Sequence, residues 1–326
     1  MKNEIYKYIE KFGPIRPSVI RGAIKTSEVT LFKVLKELIE DDKIKKDGRD
    51  NGVFYYVNNK EKKLSINNIN DHDKYIIDKN YIYIDAAGNI IRGFEGFMFW
   101  CQKSHLNLEI ETKNFVKIIN DTNKIKQSGL IKAKENILSQ NKNIEIFLNQ
   151  IFYSDFYNVS HFGKTKLGQL VYIAKTSQNK TLIKEVAEEI YSGIVNIIEN
   201  KNIKYIAFIP PTIQRKTQFI FELEKYLNLA KDFNLIKLEI EKIKSANLIP
   251  QKTLRKLEDR IYNASHTIII NPNQNIDGNV LLIDDATGSG SSLNETAKKI
   301  KRIADCKVYG YSVVGSMKGF DVINEI

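Results

Sequence analysis

Two adjacent carboxylates at the end of an apolar run are the residues of this sequence best placed to do chemistry. Asp284 and Asp285 directly follow Val280–Ile283, whose composition is typical of a strand buried on both faces. Neighbouring carboxylates can accept hydrogen bonds from two sugar hydroxyls, or they can hold a hydrated Mg²⁺. The sequence therefore predicts an acidic pair at the carboxyl end of a buried strand.

The loop after the acidic pair has the composition of an anion site. Its members are small or carry hydroxyls, namely Ala286, Thr287, Gly288, Ser289, Gly290, Ser291 and Ser292. Small residues let an anion approach the backbone, and the N–H groups that begin the helical pattern at Leu293 would attract a phosphate. We therefore expect a phosphate site beside a sugar-diol site. The alternative is an ordinary strand–turn–helix with two solvated aspartates.

The run Val280–Ser292 resembles the phosphoribosyl-pyrophosphate (PRPP) loop of type I phosphoribosyltransferases, in which two aspartates, two variable residues and a Thr/Ser/Gly loop follow an apolar strand. The resemblance implies that Asp284 and Asp285 hold the ribose hydroxyls, directly or through Mg²⁺ that accompanies PRPP. It also implies that the backbone amides of Thr287–Ser292 and the serine hydroxyls hold the 5′-phosphate.

Between about Tyr157 and Ser316 the order of parts is similar to ComF-type phosphoribosyltransferase domains. The matching pieces are Phe162–Lys175, the strand ending at Pro210-Pro211, the segment from Pro250 to Asn263, and the loop. The family's Arg-Gly-Phe-Asn-Gln run is represented only by Arg215 and Gln218. The resemblance implies a pyrophosphate side made of Pro211, Thr212, Arg215, Lys216, Lys252 and Arg255.

One position bears on the reaction. Purine-salvage relatives carry an acid in the loop that can act as general base toward the nucleobase, and the matching residue here is Gly288. The resemblance therefore disfavours purine salvage. It leaves open transfer to another acceptor, and it leaves open binding without reaction.

The first sixty residues carry a second pattern, of three helices and a hairpin. Apolar spacing predicts helices over Lys2–Phe12 and Pro17–Ile24 and a third helix capped by Thr26 or Ser27, and strands flank a Gly-containing turn at 47–52. This order predicts a winged helix-turn-helix in residues 1–60. Its candidate DNA contacts are Thr30, Lys33, Lys36, Lys45, Lys46 and Arg49. The alternative is a winged helix used for protein contacts or dimerisation.

Residues 61–153 are expected to connect the two ends of the chain. We predict a strand at Tyr81–Ile84, a return through the aromatic segment Ile90–Trp100, and two helices between Thr112 and Ile151 that break near Ser128-Gly129. The aromatic cluster is interpreted as core rather than as a base-stacking surface. The helices could form a homo-oligomer interface.

From Ser154 to the end of the sequence, helix and strand patterns alternate. They predict an α/β domain at 154–326, with the type I phosphoribosyltransferase fold: a mostly parallel sheet flanked by helices, with its ligand at the carboxyl ends of the strands. The expected elements include a helix at Lys216–Leu229 and strands at Tyr205–Ile209 and Leu235–Ile240. The segment 242–262 is expected to be irregular.

Whole-chain properties narrow the function classes. The 326 residues allow two domains, and the net charge of +11 suits an anionic partner such as DNA. No apolar run approaches a membrane span and no signal region is evident, so we expect a soluble, cytoplasmic protein without membrane contact. Two cysteines exclude a disulfide framework. Cys101 and His105 could form a metal pair, but a buried thiol is the preferred interpretation.

Three functions fit the combination of parts. The first is a phosphoribosyltransferase with its own DNA-binding module. The second is a regulator that senses PRPP or a related nucleotide and responds on DNA. The third is an accessory or effector protein, because ComF-like proteins are associated with DNA uptake and winged-helix phosphoribosyltransferase fusions resemble effectors of bacterial retron-type phage defence.

Overall fold

The computed structural model describes residues 1–47, 53–58, 69–133, 145–243, 249, 253–254 and 256–316. The chain divides into two compact units, Met1–Lys117 and Ile118–Ile326. Every helix within the described ranges is too short or too polar to span a lipid bilayer.

The N-terminal unit begins with three helices and a two-stranded antiparallel sheet. The elements are α1 Lys2–Phe12, α2 Pro17–Ile24, α3 Glu28–Glu40, β1 Ile44–Asp47 and β2 Phe54–Val57. Pro17 occupies the first turn of α2, where its missing N–H is tolerated. Ser27 caps α3, since its side chain accepts a hydrogen bond of 3.1 Å from the Thr30 amide. The predicted order of elements is confirmed.

An apolar cluster holds these elements together. Its buried members come from all three helices and both strands: Ile5, Ile9, Ile15, Ile20, Leu31, Val34, Leu35, Leu38, Ile44 and Tyr55. The α3 members recur at helical spacing, so one face of that helix is apolar and buried while the other is largely exposed to solvent.

The rest of the N-terminal unit corrects one prediction. Its elements are α4 Asp71–Asn80, β3 Ile82–Ile84, β4 Ile90–Arg92, α5 Gly93–Lys103 and the start of α6 Leu108–Ile125. The segment predicted to return as one stretch is a strand only as far as Arg92. Gly93 then begins a helix at a φ of 63°, a value that glycine adopts readily. The aromatic cluster is core only in part: Phe97 is fully buried and packs edge-on against Tyr81, which also packs edge-on against Phe115, whereas Phe99 is 41% exposed.

Ser128-Gly129 does not separate two helices, so this prediction is wrong. The two residues form the turn of a hairpin between β5 Lys126–Gln127 and β6 Leu130–Lys132, with both turn residues at positive φ. Residues 145–149 are not helical and β7 follows at Gln150–Phe156, while 134–144 lie outside the described residues. Apolar residues at helical spacing indicated the wrong period here, because the short strands have too few residues to show alternation.

The C-terminal unit is built on a seven-stranded, mostly parallel sheet. Its strand order is β5-β6-β7-β13-β12-β8-β9, with β8 Ile203–Phe208, β9 Ile236–Lys237, β12 Asn279–Thr287 and β13 Val308–Gly315. Only β6 runs opposite to the other strands, because it pairs antiparallel with both β5 and β7. The helices are α7 Lys166–Ser177, α8 Lys180–Asn200, α9 Phe219–Leu227, α10 Leu229–Asp232, α11 Leu257–Thr267 and α12 Ser291–Ile303. This α/β architecture confirms the predicted fold class at the level of a mostly parallel sheet flanked by helices.

Three predicted elements of this unit have different bounds. The predicted strand Leu235–Ile240 is two strands: β9 joins the main sheet, and β10 Ile240–Lys242 pairs antiparallel with β11 Ile268–Ile270 in a separate sheet. The helix predicted from Lys216 begins at Phe219. The segment expected to be irregular contains the first turns of α11. In each case packing against neighbouring elements sets the boundary, and local sequence does not reveal those neighbours.

The connections of the sheet create a crevice beside its central strand. β12 lies between β8 and β13 and is parallel to both. The chain leaves β8 toward β9 on one side, whereas it leaves β12 toward β13 on the other. Loops that depart in opposite directions from adjacent parallel strands leave a gap at the carboxyl ends, which is where ligands of open α/β sheets bind.

Candidate functional site

A cavity of about 230 Å³ occupies the crevice between the ends of β8 and β12. Its walls are the turn Ile209–Ile213 after β8 and the stretch Asp284–Leu293, which runs from the end of β12 into the first turn of α12. Side chains from more distant parts of the chain complete it: Lys175, Arg215, Gln218, Phe219, Ile220, Lys242 and Arg260. The whole predicted acidic pair and the whole predicted phosphate loop therefore line one cavity.

The two acids lie on opposite faces of β12, because successive side chains of a strand alternate. Asp284 follows Val280 and Leu282 on the face that packs with α12. Asp285 points to the other face, where its Oδ2 atom lies 2.8 Å from Nζ of Lys175 in α7. The side chains of Lys175 and Asp285 are only 18% and 23% exposed, so this ion pair is shielded from most of the solvent.

The surroundings of Asp284 disfavour the charged form of its carboxyl group. Burial and the neighbouring charge of Asp285 raise its pKa to about 7, although a hydrogen bond of 2.8 Å from the Asp285 amide to its Oδ1 atom opposes the rise. Burial lowers the pKa of the Lys242 amine, which lines the same cavity, and the charge of Asp284 opposes that shift. The Lys242 amine donates a hydrogen bond of 2.5 Å to the Thr212 hydroxyl.

Hydrogen bonds to neighbouring residues fix the loop after the acids. The Thr287 hydroxyl bonds to that of Ser312 in β13, and the Thr287 carbonyl accepts a 2.9 Å hydrogen bond from the Ser316 amide. The hydroxyls of Ser289 and Ser291 are 2.8 Å apart and both side chains are buried. The loop thus presents its backbone to the cavity in a fixed conformation.

The start of α12 suits an anion. Gly290 is the N-cap at a φ of 74°, and no side chain caps the helix. The first turn carries no acidic residue, whereas Lys301 and Arg302 occupy the last turn. The N–H groups of a helix start and the positive end of its dipole favour a phosphate at this point.

Only some of the residues predicted for the pyrophosphate side line the cavity. Pro211, Thr212 and Arg215 line it, whereas Lys216 is exposed and lies outside the lining. Nη1 of Arg215 donates to the Lys175 carbonyl, which ties the turn to α7. Lys252 and Arg255 lie outside the described residues.

Sequence reasoning missed three cations of the cavity, namely Lys175, Lys242 and Arg260. Arg260 is buried, its Nε donates a hydrogen bond of 2.7 Å to the Leu254 carbonyl, and burial lowers its pKa. Lys175 and Arg260 both fall within segments that match the ComF-type order of parts, so that resemblance offered a signal for them. No sequence signal pointed to Lys242, because its position depends on the β10–β11 pairing.

The residues fit a directly bound magnesium ion poorly. Mg²⁺ is usually held by one or two carboxylates together with waters and substrate phosphates. Here Asp285 Oδ2 already contacts an ammonium group, and Asp284 Oδ1 already accepts an amide. Across the part of the chain that the structure describes, no three His, Cys, Asp or Glu side chains group in a way that could hold a metal.

The predicted nucleic-acid contacts lie on α3 and β1. Lys33, Lys36, Lys45 and Lys46 are exposed, while Arg49 lies outside the described residues. The Thr30 hydroxyl is engaged with that of Ser27 at 2.7 Å. The exposed side of α3 also carries apolar residues, since Val29 is 82% and Phe32 43% exposed.

The remaining candidate, Cys101 with His105, does not form a metal pair. Cys101 is fully buried, and burial raises the pKa of its thiol to about 12. The His105 ring instead stacks on Tyr56 with centroids 3.7 Å apart. The preferred interpretation of a buried thiol is therefore confirmed.

Comparisons with known proteins returned no match to this chain, either among protein-family models or among curated proteins.

Proposed function

We propose that the C-terminal unit binds PRPP or a ribose-5-phosphate nucleotide in the cavity between β8 and β12. One observation carries the proposal: an acidic pair, a small-residue loop at a helix start and a turn rich in nearby cations line the same cavity at the carboxyl edge of the sheet. This is the combination that a sugar phosphate needs, and its parts resemble those of type I phosphoribosyltransferases of the ComF type.

Each part of the ligand has a counterpart in the cavity. The 5′-phosphate would lie against the backbone of Gly288–Ser292, where the start of α12 favours negative charge. The ribose hydroxyls would donate hydrogen bonds to Asp284 and Asp285. The pyrophosphate would lie on the turn after β8, near Arg215 and Lys242, and Mg²⁺ would enter with PRPP as the counter-ion of that group.

The reaction that we propose is phosphoribosyl transfer. The bond between the anomeric carbon and pyrophosphate breaks, the pyrophosphate leaves with the bonding electron pair, and the acceptor forms the new bond to that carbon. Cations such as Arg215 stabilise the departing polyanion. Gly288 supplies no carboxylate to remove a proton from a purine, so we propose an acceptor that needs no such base.

We further propose that the N-terminal unit is a winged helix that binds DNA, with α3 as the recognition helix and β1–β2 as the wing. Three helices followed by a hairpin support it, as do the exposed lysines Lys33, Lys36, Lys45 and Lys46. The exposed Val29 and Phe32 support the alternative that α3 contacts a protein.

A second function has specific support, namely sensing of PRPP without turnover. Gly288 removes the usual base, and both acids of the site are already in contact with polar groups of the protein. In this case ligand binding would shift the affinity for DNA, which requires two states of the protein that bind the ligand differently.

Calorimetric titration of the full-length protein with PRPP and Mg²⁺ tests these proposals together. We expect micromolar binding, lost in the double variant Asp284→Asn/Asp285→Asn because the hydroxyls would lose both charged acceptors. Pyrophosphate release after mixing distinguishes a transferase from a sensor. Absence of heat with the wild-type protein would contradict the proposed ligand.

A further inference from the structure

We infer that the ribose 5-phosphate half of the ligand binds without a divalent metal ion, because the ammonium group of Lys175 already pairs with Asp285 and that of Lys242 lines the same cavity. This inference rests on the proposed function, since it concerns how the same cavity holds the same ligand. It assigns a role to two residues that the sequence did not predict as site residues.

Lys175 is placed to act as the counter-ion of Asp285. Its Nζ lies 2.8 Å from Asp285 Oδ2, in a setting where both side chains are less than one quarter exposed. Coulomb attraction is stronger at such a site than at the surface. The backbone of Lys175 is fixed as well, because its carbonyl accepts a hydrogen bond from Arg215.

Lys242 approaches from the opposite face of the sheet. It lines the cavity, and its amine is anchored to the Thr212 hydroxyl. Both ammonium groups lower the pKa of Asp284, that of Lys175 the more strongly, so α7 and β10 each bring a positive charge to the acidic pair.

The acids retain acceptors for the sugar in this arrangement. Lys175 uses Oδ2 of Asp285, and the Asp285 amide uses Oδ1 of Asp284. The other oxygen of each carboxylate is available for a ribose hydroxyl, and two acceptors on adjacent residues match two adjacent hydroxyls. A magnesium ion bound to the same carboxylates would have to lie beside an ammonium group, which is repulsive.

The test is calorimetric titration with ribose 5-phosphate, which lacks the pyrophosphate that would itself bind magnesium. The full-length protein is titrated once in excess EDTA and once in saturating Mg²⁺. We expect the two dissociation constants to agree within about twofold, which is well under the tenfold that corresponds to about 1.4 kcal/mol.

Lys175→Met is the diagnostic variant. It should weaken binding in EDTA by about tenfold or more, the usual effect of losing a charged hydrogen-bond partner in a shielded site, and Mg²⁺ should restore part of the affinity. Lys175→Arg, which keeps the charge, should bind in EDTA and serves as a second readout if the methionine variant is unstable.

Lys166→Met is the matched control. Lys166 belongs to the same helix and makes an ion pair of the same length, 2.8 Å, with Glu189, but it does not line the cavity. Its binding should equal that of the wild type in both buffers. Wild-type binding that requires Mg²⁺, or unchanged binding by Lys175→Met in EDTA, overturns the inference and leaves the proposed function standing. Absence of binding in both buffers overturns both.

Discussion

The phosphate loop of the C-terminal unit and the third helix of the N-terminal unit offer functional groups in opposite ways. In the loop, Ser289 and Ser291 are buried, bonded to each other and fixed beneath the start of a helix. On α3, Lys33 and Lys36 extend into solvent, and Lys36 has only a weak contact of 3.8 Å with Glu40. One region is a preformed site, whereas the other is a surface.

This difference determines what each region can reveal about its ligand. A cavity of fixed shape limits its occupant by size, charge and hydrogen bonding, so the loop points to a particular chemical group. An exposed basic helix attracts any polyanion, and exposed apolar residues such as Val29 would equally suit a protein partner. The proposal for the C-terminal unit is accordingly the sharper of the two.

The largest effect is expected from replacing Asp284, because this residue should favour ligand binding while it lowers the stability of the folded protein. A folded-state pKa of about 7, above the ordinary value near 4, means that the folded protein binds this proton more tightly than the unfolded chain does. The stabilisation from the bound proton is present below about pH 4 and is lost as the pH rises toward 7, at up to about 1.4 kcal/mol per pH unit.

Asp284→Asn should therefore raise the melting temperature relative to the wild type at about pH 8, with a smaller gain at about pH 5, while PRPP binding falls. Thermal unfolding at the two pH values and titration at the higher one check both effects. Equal stability changes at the two pH values would mean that Asp284 is not destabilised by burial of its charge.

A backbone substitution tests whether the loop is preformed. Gly290→Ala places a side chain at a φ of 74°, which should cost about 1–2 kcal/mol of unfolding free energy and weaken binding of PRPP. Gly22→Ala in α2 is the control, because a Cβ there meets no atom within 4 Å. That variant should gain about 0.5–1 kcal/mol from the better helix propensity of alanine. Denaturant titration measures both, and similar effects at the two sites would contradict a special role for the loop conformation.

The smallest expected effect concerns α3. If its lysines contact phosphates, Lys33→Ala/Lys36→Ala should lower DNA affinity modestly and reduce the salt dependence of binding by about two released counter-ions. Fluorescence anisotropy with a labelled duplex over a series of salt concentrations gives both values. If affinity and salt slope stay unchanged while Val29→Ser/Phe32→Ser alters the oligomeric state, α3 is a protein interface instead.

The sequence predicted local features well and long-range contacts poorly. The strand, acidic pair, loop and helix around Asp284 are consecutive, so their order was predicted correctly, although the strand extends through the acids to Thr287 and the helix begins at Ser291 rather than at Leu293. Lys175 and Lys242 reach the same cavity from elements far away in the chain, and no local pattern pairs them with the acids. The hairpin at Ser128-Gly129 was missed because two-residue and three-residue strands are too short to show a period.

Hydrogen–deuterium exchange of the full-length protein with and without PRPP tests the central claim most directly, because it locates the ligand. We predict slower exchange in the turn Ile209–Ile213 and in residues 286–293, where amides would bond to the phosphates. Protection confined to other segments, or no protection at a PRPP concentration that saturates the heat of binding, would contradict a ligand site in this cavity.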